Sequence, residues 1–197
     1  MDTPQVSEAP AEQSRSAQIT LGILATVIVV GAIFAFNAAD GPHWFALFKW
    51  LHVSFVVFWV GGGLMLTVLG LMAERSPDPR EIVTLAKWAA FAGERLFAPA
   101  GLVVLSMGIA MLIHGGDPIV HWSKFWVIAG LVGYASTFIT GIAFLAPQAK
   151  KIHALSESHG PEAPETIAAI KTILLIARVD IAVLLLVVAD MVTKPFS

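Results

Sequence analysis

Seven side chains in this sequence carry acid, base or ligand chemistry inside runs that are otherwise almost wholly apolar: His52, Glu94, Arg95, His114, Arg178, Asp180 and Asp190. His52 stands in KWLHVSFVVFWVGGG, where an imidazole can bind a metal or hold a hydrogen bond. A helix face drawn through it collects Phe55, Val56, Trp59 and Gly63. That aromatic wall with a glycine gap suits a flat ligand, and it suits tight helix packing equally. His114 is the only other histidine placed at comparable depth within an apolar run. A haem iron held by two histidines would therefore take His52 and His114, or His52 with a ligand of another type. The chain has no cysteine, which excludes thioether-linked haem and thiolate metal sites and leaves haem b as the form to consider.

Arg178 and Asp180 come from ARVD, deep in the last apolar run. Charges in hydrocarbon cost about 2.5–3.5 kcal/mol each on insertion scales, so they mark function or internal pairing. Two residues apart on a helix, the two side chains point about 200° away from each other and each needs a partner elsewhere. Glu94 and Arg95 have the required signs, so a polar network of Glu94, Arg95, Arg178 and Asp180 is expected, with Arg95 opposite Asp180. Arg178 can also lean toward its own N-terminus and snorkel, or hold a haem propionate. A proton-carrying role is the functional alternative for Asp180. Asp190 lies near the end of its run and can reach water.

The elements that must position these groups are membrane helices. Of the 197 residues, 57% are hydrophobic and 13% charged, against about 25% charged in a soluble domain. Five segments have spanning length: Ile19 to Ala38, Trp44 to Met72, Leu96 to His114, Trp122 to Ala146 and Ile167 to Thr193. The first follows an acidic rather than a basic tail and is too long for a secretory signal, so it reads as a retained span. An all-α bundle of five transmembrane helices is the fold expected, one domain over residues 18–194. Arg15, Arg75, Arg80, Lys87, Arg95, Lys150, Lys151 and Lys171 fall on one side of such a bundle, and Lys49, Lys124 and Lys194 on the other. This bias predicts a cytoplasmic N-terminus and an external C-terminus in a bacterial inner membrane. Trp44, Trp50, Trp122 and Trp126 form a belt at the opposite, external boundary. No basic stripe points to nucleic acid.

Residues 1–17 read as a disordered polar tail. ERSPDPREIVTLAKWAAFAGER reads as a turn and a short amphipathic helix on the cytoplasmic membrane surface, with Ile82, Leu85, Trp88 and Ala89 on one face. Pro99 predicts that the third span begins near Leu96 or is kinked there. Gly133, Thr137 and Gly141 form a smooth stripe for close helix approach. No internal repeat is evident.

KWLHVSFVVFWVGG, ERLFAPAGLVVLSMGIAMLI and GLVGYASTFITGIAFLAPQAKKI together resemble a bacterial family of predicted integral membrane proteins, a domain of unknown function, over roughly Phe45 to Thr193. More distantly, Leu-His followed by Trp-x-Gly-Gly is similar to the copper-resistance D type and to the membrane protoporphyrinogen oxidase type that works with haem. That resemblance implies a four- or five-helix bundle whose first shared helix carries a histidine ligand, which falls on His52. The chain lacks the methionine–histidine cluster of the copper type. Three functions follow as expectations: a haem-b-associated redox membrane protein, a non-catalytic subunit scaffolding other membrane subunits or its own copies, and a small transporter or proton path built on Asp180.

Overall fold

The computed structural model describes residues 9–37, 43–115 and 122–196, with side chains from Ala17 onward. The described residues are helical with no strand, and five helices are long and apolar enough to cross a membrane. The chain divides into two units, residues 1–50 and 51–197. In the first, α1 (Ala9–Phe36) begins inside the segment expected to be a disordered tail, whose residues 1–8 lie outside the described ones. Phe36 meets Trp44 edge-on at 5.2 Å, and Gly31 faces the Trp50 ring. Among the described side chains of α1 only Ala35 is buried, and the rest of its surface is apolar, as a lipid-facing span requires.

The second unit contains α2 (His43–Glu74) from Leu51 on, then two long helices and a last one. Asp78 opens the first long helix as an N-cap, accepting the Arg80 backbone N–H at 2.9 Å, with Pro79 at the first helical position. The helix is α-helical as α3 (Pro79–Ala92), π-helical over Gly93–Phe97, and α-helical again as α4 (Ala98–His114). The second long helix repeats this design as α5 (Phe125–Thr140), a π turn over Gly141–Leu145, and α6 (Ala146–His159). The last is α7 (Pro164–Thr193).

The π turns have one cause. Each is followed by Ala-Pro: Ala98-Pro99 and Ala146-Pro147. A proline inside a helix lacks the N–H of the ladder and crowds the carbonyl four residues back. Widening the preceding turn relieves the crowding, with Ala98 N–H bonding to Gly93 O and Ala146 N–H to Gly141 O, five residues back in each case. The helix therefore runs unbroken from Pro79 to His114 instead of starting at Leu96. Gly-x-x-x-(Phe/Leu)-Ala-Pro is thus a local repeat, occurring once in each long helix, where no internal repeat is expected from the sequence.

At 36 and 35 residues, these helices are about 54 Å and 52 Å long. Both exceed the roughly 40–45 Å of a whole bilayer. They project past it at the basic end. There α3, α6 and the start of α7 pack round Ile82, Ala86, Ala90, Ala149, Ile152, Ala169 and Ile170. The amphipathic segment is accordingly an extension of a span, seated on protein. Its inward face is Ile82, Ala86 and Ala90, while Trp88 is exposed on the other side against Phe91. Trp88 is exposed, and the face predicted through it and Ile82 is split.

Candidate functional site

His52 is placed by the antiparallel packing of α2 on α4. Its Nδ1 lies 2.8 Å from the backbone carbonyl oxygen of Val104. Its ring edge faces Gly108, where a Cβ would stand 3.2 Å from Cε1. A carbonyl only accepts, so Nδ1 carries the hydrogen and Nε2 keeps its lone pair. Among the described residues Nε2 has no hydrogen-bond partner, and it is not sealed inside the bundle. One turn before Val104 in α4, the Tyr134 hydroxyl of α5 donates to the Gly101 carbonyl at 2.9 Å. Two side chains from two different helices thus bond to main-chain oxygens of α4. Sequence reading missed both acceptors, because a backbone carbonyl leaves no mark in residue type.

The other groups proposed for haem stand apart from His52. His114 is six residues beyond Gly108 on α4, about 9 Å along the axis. Its Nδ1 lies 2.9 Å from the carbonyl of Ala110 in its own helix. Arg178 is farther still. Gly63 faces Ile181 and Gly70 faces Leu174, which sets α2 antiparallel to α7. In that register His52 and Arg178 are fourteen residues apart in level, about 21 Å. The guanidinium leans the opposite way, toward the basic end, and pairs through Nη2 with Glu74 at the close of α2. His114 is thus bonded to its own helix and Arg178 is paired at the opposite end of α2 from His52.

The expected four-membered ionic network is also redistributed. Gly93 and Phe97 of the first π turn face inward, while Glu94 and Arg95 between them are exposed. Glu94 takes Lys150 of α6 at 2.5 Å, joining the two long helices beside their π turns. Among the described residues no ion pair reaches Arg95 or Asp180. The physical reason is helical phase, since Arg95 has the depth to meet Asp180 but lies on the wrong side of its helix.

Asp180 instead lines a cavity of about 170 Å³ in the basic half of the bundle. Trp59 bounds it toward the middle, set edge-on at 5.6 Å to Tyr134, which is itself stacked on Phe138. Below lie Gly63, Phe97, Gly141 and Arg178. The Nε of Arg178 is buried and has no hydrogen-bond partner among the described residues. Thr137, also lining it, is 2% exposed and turns its hydroxyl back onto its own helix. Gly133 fulfils its role in the small-residue stripe by facing Val187 closely, whereas Gly141 opens onto the cavity. Asp190 is half-buried near the end of α7, and its Oδ2 is buried without a hydrogen-bond partner among the described residues. Among the described residues no cluster of three or more histidine, aspartate or glutamate side chains is set to hold a metal ion.

Residues 46–195 match the profile of a family described as predicted integral membrane protein, DUF2269. The chain belongs to that family. No curated protein and no solved structure matches it. The DUF2269 region begins just inside α2 and takes in every group described above, leaving α1 outside it. Both the His52 site and the cavity are therefore features of the DUF2269 region itself. The chain is an integral membrane protein.

Proposed function

We propose that this protein is a haem-b-associated redox protein of the bacterial inner membrane, with His52 as an iron ligand, the N-terminus cytoplasmic and the C-terminus external. One observation carries the reading: the Val104 carbonyl holds Nδ1 at 2.8 Å and leaves Nε2 bare. This is the arrangement by which proteins fix the tautomer of a metal-binding histidine and raise its basicity. The donor chemistry of His52 fits haem iron, whereas His114 is bonded to its own helix and Arg178 lies about 21 Å away in level. Haem bound there would supply one-electron transfer. The chain's own part is to orient the imidazole through Val104 and to leave room for the ring edge at Gly108.

An absorption spectrum of the detergent-purified protein tests this. Wild type should show a Soret band that His52→Ala and His52→Asn both abolish and His153→Ala leaves intact. Wild type without that band, after expression with ample haem precursor, would overturn the reading.

A second reading is a non-catalytic subunit that scaffolds other membrane subunits or its own copies. The parallel bond from Tyr134 to Gly101 favours it, because His52 would then be one of two clamps on α4. In that case His52→Asn, whose amide can donate to Val104, restores the stability lost in His52→Ala, and no variant has a Soret band.

A further inference from the structure

We propose that the cavity in the basic half of the bundle is a binding site for a neutral molecule of single-ring size, apolar in body, with a hydroxyl or carbonyl head held by Arg178. The site is distinct from that of His52 and does not rest on the haem reading.

Size sets the first limit. The cavity measures about 170 Å³, and an apolar protein cavity of about 150 Å³ holds one benzene molecule. Its wall of Trp59, Phe97, Phe138, Leu145 and Ile181 offers mostly apolar contact. Chemistry sets the second. Arg178 lines the cavity, and its Nε is a buried donor with no acceptor among the described residues, although the same guanidinium is paired through Nη2 with Glu74. An unmet donor in such surroundings is costly, and a ligand oxygen would satisfy it. Charge sets the third. Glu74 already balances Arg178, and Asp180 adds a second carboxyl to the same lining. No net positive charge is left to attract an anionic head, so a neutral acceptor fits better than a carboxylate.

Gly141 supplies the means to test this. It lines the cavity, and a Cβ built on it meets nothing within 4 Å. Gly141→Leu should occupy the space from a Cβ position that is clear, and Gly141→Val serves if the longer side chain prevents folding. The probes are phenol, benzene and benzoate, read by the shift they give to the melting temperature in detergent. Displacement of 4-fluorophenol, followed by ¹⁹F NMR, gives the affinity directly. Phenol should bind wild type at least tenfold more tightly than benzoate and more tightly than benzene. It should be lost in Gly141→Leu. It should bind roughly tenfold more weakly to Arg178→Lys, which keeps a charge opposite Glu74 but lacks the Nε–H. Equal phenol signals in wild type and Gly141→Leu would mean partition into the micelle and would overturn the proposal. Benzene binding as well as phenol, with Arg178→Lys unchanged, would overturn the role given to Arg178.

Discussion

Arg178 reaches along its own helix toward the basic end and closes an ion pair with Glu74, the final residue of α2. The pair fastens the last span to the second where both leave the apolar layer. Its side chains are 38% and 41% exposed, so solvent or headgroups screen it and its worth is about 1 kcal/mol, not the several of a fully buried pair. Glu74→Gln should lower the melting temperature slightly, and the exchange Glu74→Arg with Arg178→Glu should recover most of the loss. A double variant no more stable than the single one would show that the pair does not form in the membrane.

Asp180 is expected to behave differently. With no ionic partner among the described residues, its carboxyl contributes desolvation cost and no attraction. Asp180→Leu should leave stability unchanged or raise it by up to about 1 kcal/mol in a detergent melt. A loss of 2 kcal/mol or more would reveal a partner for it.

Gly133 and Gly22 separate packing from propensity. A Cβ at Gly133 would stand 2.4 Å from Val187 Cγ2, and valine has little rotamer freedom with which to yield. At Gly22 nothing lies within 4 Å. Gly133→Ala should therefore destabilise by about 1–3 kcal/mol. Gly22→Ala should be neutral or mildly stabilising, since alanine is the better helix former by about 1 kcal/mol. Comparable melts for the two variants would refute the close approach of α5 to α7.

The orientation proposed from the distribution of lysine and arginine has a direct check. A phosphatase fused after Ser197 should be active, and a fluorescent protein that folds only in the cytoplasm should stay dark at the same position. The opposite result would reverse the topology.

The five spans were legible because a run of about twenty apolar residues has few other folds open to it. Gly133 and Thr137 were legible as a packing stripe for a similar reason, since small residues every fourth position have one smooth face. The partners of the charged groups were not. Glu74 was overlooked because it ends a span, where an acid looks ordinary, although the N-terminal lean of Arg178 pointed to a partner on that side. Arg95 matches Asp180 in sign and depth, which is all that residue type and position reveal, while its angular position is set by a π turn that no residue count includes. The Val104 and Gly101 carbonyls were beyond reach of any reading by residue type.

The π turns set the angular phase of whatever follows them. Each holds one residue more than the α-helical path would need, and an α-helix turns by about 100° per residue. Relaxing Gly93–Phe97 to an α-helical turn with all its residues kept would therefore leave α4 intact as a helix and rotate its whole surface by that angle. Gly101, Val104 and Gly108 would swing away from Tyr134 and His52 together. The contacts made by His52 are thus indexed by Pro99, five residues before Val104 and nine before Gly108, acting as the pin that clocks one long rod against its neighbours.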